Sequence, residues 1–176
     1  EEDLDELNIE DGVEDALEAI SLDMELEIEE LKQIISLAKQ AQFQNQDAKV
    51  EPLLNEIDAI LSEDRTQKVI IFTEFVATQT YLQELLVNRG YTVTILNGGM
   101  SIDERNAAMQ EFKTSTSIFI STDAGGEGLN LQFANIIINY DLPWNPMKIE
   151  QRCGRVDRIG QQRDVHIYNF IVGETV

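Results

Sequence analysis

The chain has 176 residues, 33 of them acidic and 13 basic, for a formal net charge of −20. Its hydrophobic fraction of 43% is enough for a real core, and no apolar run approaches the ~20 residues of a membrane-spanning helix. One cysteine, Cys153, excludes an internal disulfide, and one histidine, His166, excludes a histidine-built zinc site.

The charge is concentrated at the start. Residues 1–30 hold 15 Asp or Glu and no Lys or Arg, which leaves only −5 of the −20 to the rest. The acidic opening is expected to be mobile at its beginning. From about Leu26 the pattern turns helical, with Leu31, Ile34, Ile35, Ala38 and Ala41 recurring at three and four. Past a loop at NQDAK, a second amphipathic helix carries Leu53, Leu54, Ile57, Ile60 and Leu61. Residues 1–65 therefore read as an acidic helical connector and 66–176 as the main domain. A chain that starts without methionine and stops inside the apolar stretch NFIVGETV is expected to be part of a longer protein.

After Lys68 short apolar runs alternate with helices. KVIIF is a buried strand, and EFVATQTYLQELLVNR a helix closed by Gly90. YTVTIL is a second strand. SIDERNAAMQEF is a helix opened by a capping box, Ser101 with Glu104 three residues on. TSIFIS and ANIIINY are the next strands. Asn145 and Pro146 serve as N-cap and first residue of another helix. DVHIYNFIV, with a structural His166, is the last strand. This alternation implies an α/β fold, a parallel sheet with helices on both faces.

In such sheets ligands bind beyond the carboxyl ends of the strands. FTE (72–74), NGG (97–99), STDAGGEGLNL (121–131) and YDLPWNP (140–146) fall there. The glycine run lacks the third glycine of a dinucleotide fingerprint, and no Gly-Lys pair exists to make a triphosphate loop. It reads either as a backbone approach to phosphate or ribose or as a tight turn. In QRCGRVDRIGQ (151–161), Arg152, Arg155 and Arg158 would fan across adjacent parts of one helical face. Asp157 is the only acid within it, so phosphate binding is favoured over a solvated face. Cys153 reads as a small packing residue; the alternative is a thiol activated by those arginines.

QRCGRVDRIGQ resembles motif VI of superfamily-two helicase-like ATPases, with Gln151, Gly154, Arg155 and Arg158 matching its pattern Q-x-x-G-R-x-x-R. RIGQ, STDAGGEGLNL and WNP look like the SWI/SNF branch, and QRCGR is closer to its bacterial RapA-like group. VIIFTEF resembles motif IV and LNGGMSIDER the segment after it. The likeness spans roughly residues 68–172.

The resemblance implies a C-terminal RecA-like lobe of a double-stranded DNA translocase. Arg155 and Arg158 would be arginine fingers, with Gln151 coupling nucleotide state to closure. Gly126, Glu127 and Gly128 would touch the nucleotide's sugar side. Thr73, Gly98 and Thr122 would meet the phosphates of the tracked strand. Trp144 is expected to wedge between helices, with stacking on a base as the alternative. The partners implied are the N-terminal RecA-like lobe, which would hold most of ATP and Mg, duplex DNA and a transcription or other nucleoprotein complex, with no membrane; the setting implied is the cytoplasm of a prokaryote, at the nucleoid, or the nucleus if the source is eukaryotic. Alone, the chain should not hydrolyse ATP. The acidic head is expected to be a solvated connector. An RNA-tracking lobe and an inert docking module are the alternative functions.

Overall fold

In the computed structural model, residues 24–36, 48–126 and 128–171 are described. The start of the acidic head, Ala38, Ala41, Glu127 and the last five residues lie outside them. The chain divides into two units, Glu1–Asp47 and Ala48–Val176. In the first unit, helix α1 (24–36) is exposed throughout, including Leu31, Ile34 and Ile35 of the apolar stripe.

The second unit is built on five parallel strands: β1 (Val69–Thr73), β2 (Val93–Leu96), β3 (Ile118–Thr122), β4 (Ile136–Asn139) and β5 (His166–Asn169). They lie in the order β2-β3-β1-β4-β5. Central β1, β3 and β4 are buried at every residue, as expected of strands covered on both faces. Alternation divides their side chains between two cores. Val69, Ile71, Ile118, Ile120, Ile136 and Ile138 face one way, against Leu53 and Ile57 of α2 (Val50–Glu63) and Leu82 and Leu86 of α3 (Val76–Asn88). Ile70, Phe72, Phe119 and Ile137 face the other, against Ala108 and Phe112 of α4 (Ile102–Thr114) and Val156 of α6 (Pro146–Val156). Phe112 stacks on Phe119 with ring centroids 4.7 Å apart.

The local signals act as read. Gly90, at φ +94°, ends α3 while Tyr91 N donates to Leu86 O over 3.0 Å, the bond that closes a left-handed helix end. Ser101 N donates to Glu104 Oε2 over 2.7 Å and Glu104 N to Ser101 Oγ over 3.3 Å. Asn145 Oδ1 accepts from Met147 N over 3.0 Å, with Pro146 opening α6.

The domain boundary shifts. Helix α2, assigned from sequence to the connector of residues 1–65, buries Leu53, Ile57, Ile60 and Leu61 in the same core as the sheet. Its apolar face needs β1 and β4 as a floor, so the α/β unit starts at Ala48 rather than at residue 66.

Candidate functional site at the carboxyl edge

The ends of β1, β2, β3 and β4 come together on one edge, as a parallel sheet requires. Between β3 and β4 the chain makes the short helical turn α5 (Asp123–Gly126). Two glycines make that turn possible. A Cβ on Gly125 would fall 2.6 Å from Leu96 O and 2.7 Å from Asn97 Cα, so the turn lies directly on the backbone at the end of β2. A Cβ on Gly126 would meet Arg155 Nη1 at 3.0 Å and Ser121 Oγ at 3.1 Å. The missing side chain is thus the space into which the Arg155 guanidinium fits. Gly128 follows at φ +76°. Arg105 of α4 donates its Nη2 to the carbonyls of Ala124 and Gly125.

The three arginines do not act as one face. Arg152 is 2% exposed. Its Nε donates to Asp123 Oδ1 over 2.8 Å, and Nη2 pairs with the same oxygen at 2.7 Å without hydrogen-bond alignment. Nη1 donates to Asn139 Oδ1 over 2.8 Å and to Asp141 O over 3.0 Å. The guanidinium carbon stands 5.1 Å from the Phe72 ring centre. The acid that balances this charge comes from β3's end rather than from the helix. Arg155 is half-buried beside Gly126, and Arg158 is exposed. Helix α6 ends at Val156, so Arg158 lies beyond it, with Nε donating to Gly154 O over 3.1 Å. The expectation of one helical face carrying all three is corrected on both counts.

Gln151 is exposed on α6. Gln161 donates to the carbonyls of Gln132, Ala134 and Val156 over 2.9–3.2 Å, tying the RIGQ segment to the loop before β4. Cys153 is half-buried, and burial, as the largest influence, pushes its thiol pKa up. Its side chain packs against the core that holds Ile70, Phe112 and Val156.

Of Thr73, Gly98 and Thr122, expected at nucleic acid, and Trp144, whose alternative place is on a base, the structure leaves Gly98 and Trp144 open and turns two hydroxyls inward. Thr73 is fully buried and donates Oγ1 to Asp141 Oδ2 over 2.6 Å. Thr122 Oγ1 accepts from Gly125 N over 3.3 Å. Gly98 is exposed. Trp144 is 98% exposed, so among the described residues it does not wedge between helices.

Sequence reasoning missed the polar residues behind the edge. Asp141 takes bonds from Thr73 Oγ1 and Glu74 N and pairs with Lys49 at 3.6 Å. Buried Gln79 donates to Leu96 O and Ile120 O over 2.9 and 2.8 Å. A signal for Arg152 existed: Ile149, Arg152, Cys153 and Val156 recur at helical spacing and form the inward face of α6.

Residues 48–160 match the model of the helicase conserved C-terminal domain. This chain belongs to that family. Over 132 residues it is 48% identical to the uncharacterized ATP-dependent helicase YqhH of Bacillus subtilis, covering 75% of this chain and 23% of that protein. It is 38% identical over 133 residues to the RNA polymerase-associated protein RapA of Vibrio cholerae, covering 73% and 13%. The chain therefore spans under a quarter of the length of these relatives. Among solved structures, the C-terminal part of the Fun30 ATPase domain matches with a TM-score of 0.69 at 30% identity, over 74% of this chain and 42% of that one. The DEAD-box protein SrmB of E. coli matches in fold, with a TM-score of 0.58 at 21% identity, over 65% and 67%. The chain is a C-terminal RecA-like lobe of the SWI/SNF-like superfamily-two type.

Proposed function

We propose that this chain is the second motor lobe of an ATP-dependent double-stranded DNA translocase. The observation that carries the reading is the seat of Arg155 against Gly126, at the carboxyl edge where such sheets bind ligands. An always-charged fork beside a glycine turn suits a phosphate-bearing ligand. Arg155 and exposed Arg158 serve as fingers for the γ-phosphate of ATP, and Gln151 couples nucleotide state to closure. Gly126, Glu127 and Gly128 meet the sugar side. ATP with Mg is held mainly by the N-terminal lobe.

ATP hydrolysis supplies the free energy. This lobe's part is to bring positive charge to the transferred group only when the lobes close. Phosphoryl transfer depends on positioning and charge stabilisation, and a finger supplied from a second body contributes ~10³–10⁵ in rate. Contact with DNA falls to Gly98 and Trp144, while Thr73 and Thr122 hold the loops behind them. The RapA relatives' association with RNA polymerase supports a transcription complex as partner, at the nucleoid of a bacterial cytoplasm.

The test is Arg155→Ala and Arg158→Ala in the full-length protein, with ATP turnover measured with duplex DNA and with RNA. Each variant is expected to lose ~10³-fold or more of the DNA-stimulated rate and remain folded. Wild-type turnover in both variants rejects the fingers, and stimulation by RNA alone rejects the duplex-DNA assignment.

A further inference from the structure

We infer that Arg152 is the positioning residue that fixes the finger-bearing helix to the glycine turn. The inference rests on the proposed role of Arg155. Arg152 is the largest of the fully buried side chains, and its polar contacts reach two separate segments. Through Nε and Nη2 it holds Asp123, the first residue of the α5 turn. Through Nη1 it holds Asn139, the last residue of β4, and the carbonyl of Asp141 beyond it. Asn139 in turn donates to Asn169 Oδ1 of β5 over 2.8 Å.

The geometry makes Arg152 a bracket between two parts of one site. Asp123 lies three residues before Gly126, and Gly126 is the wall against which Arg155 Nη1 rests. Arg155 lies three residues after Arg152 on the same rigid helix. The distance between the turn and the finger is thus set twice, once by direct contact and once by the buried pair. Lys148 adds a contact to the same Asp123 carboxylate, Nζ to Oδ2 at 3.4 Å, from one turn earlier on α6. The guanidinium's planar fork serves three acceptors at once, which an ammonium on a flexible stem does not reproduce. Near the Phe72 ring the positive charge also lies over a π face.

Lysine at this position keeps the charge and loses the fork. The finger should then settle in a range of positions rather than one, and misplacement of about 1 Å costs ~10²-fold in rate. The expected signature is a fall in kcat, because Arg152 is 2% exposed and its polar contacts are to the protein itself.

The experiment uses the full-length protein, with Arg152→Lys and Asp123→Asn as separate variants and Arg155→Ala as reference. DNA-stimulated kcat, KM for ATP and the melting temperature are measured for each. Support is a fall in kcat of ~10- to 100-fold with KM for ATP within about threefold, in whichever variant melts within a few degrees of wild type. Asp123→Asn leaves the contacts to Asn139 and Asp141 in place, so it isolates the link to the turn if Arg152→Lys fails to fold. A lowered melting temperature in both variants with wild-type kcat per folded molecule overturns the positioning role and leaves Arg152 a structural brace. Wild-type kcat in Arg155→Ala sinks the finger reading instead. An inactive Arg155→Ala beside fully active Arg152→Lys and Asp123→Asn sinks only the bracket.

Discussion

Gly126 and Arg155 are in contact across the β3–β4 turn, so closely that a Cβ on the glycine would stand 3.0 Å from Nη1 of the arginine. The neighbours that must yield are side-chain atoms, the far end of flexible Arg155 and the Oγ of buried Ser121 at 3.1 Å. At Gly125 the neighbours are backbone atoms, Leu96 O at 2.6 Å and Asn97 Cα at 2.7 Å. Two alanines one residue apart should therefore fail differently. Gly126→Ala is expected to change stability by less than about 1 kcal/mol while displacing Arg155, whereas Gly125→Ala overpacks fixed backbone and costs about 1–3 kcal/mol. Urea unfolding of this chain distinguishes them. Equal destabilisation would mean that Arg155 cannot move aside.

On the other edge of the sheet, Asp58 accepts from the Tyr91 hydroxyl and pairs with Arg89. Burial, with the Asp58 bond second, pushes the Tyr91 pKa up to about 12 from its ordinary 10.0. The phenol proton is held more tightly in the folded state. Its stabilising effect is complete below pH 10 and is lost as pH rises from 10.0 towards about 12. Asp58 runs the other way: the Arg89 bond, then Tyr91, lowers its pKa below 3.8, so its contribution is present above that value and fades in stronger acid. Tyr91→Phe should remove part of the alkaline loss of stability, read from denaturant melts between pH 9 and 12. An unchanged alkaline slope would show that this phenol is not the group responsible.

At the end of β1, the buried Thr73 hydroxyl has Asp141 as its acceptor. Thr73→Val preserves shape and removes the donor, at an expected cost of about 1 kcal/mol. Asp141→Ala removes the acceptor of Thr73 Oγ1 and Glu74 N and one of the partners of Lys49 together, and about 2–3 kcal/mol is expected. Chemical denaturation of both variants checks the order. Wild-type stability in Thr73→Val would show that the buried bond contributes nothing net.

Caps and strands were legible because their causes are local. Ser101 with Glu104, Asn145 with Pro146, and Gly90 each act within about one helical turn of their own position, and the sequence prints both partners side by side. The unbroken apolar runs of β1, β3 and β4 likewise declare burial on both faces. Arg152 was misread because its balancing acid is Asp123, 29 residues earlier in the chain. A count of acids within the motif has no access to that distance. Helical phase with Val156 does place Arg152 on the inward face of α6, whatever its charge. Helix α2 was assigned to the connector for a related reason: amphipathic spacing reveals a helix with an apolar face but not which surface that face covers. Arg158 was placed on the helix by spacing alone, although the turn to Gly160 at φ +102° follows at once.

Trp144 stands fully in solvent just ahead of α6, 98% exposed, with Met147 54% exposed in the helix's first turn. A side chain with this exposure contributes little to the fold, so Trp144→Ala should shift stability by less than about 0.5 kcal/mol. If the ring stacks on a base, the same change should weaken DNA binding of the full-length protein by about 1–3 kcal/mol. That corresponds to ~5- to 150-fold in affinity, where 1.4 kcal/mol is tenfold. Trp144→Phe, which keeps a π face, should recover part of the loss, whereas a leucine of comparable apolarity should not. Because stacking is indifferent to sequence, the loss should be uniform across DNA probes of different composition, and a Trp144→Ala variant that binds them all at wild-type strength would remove the ring from the interface.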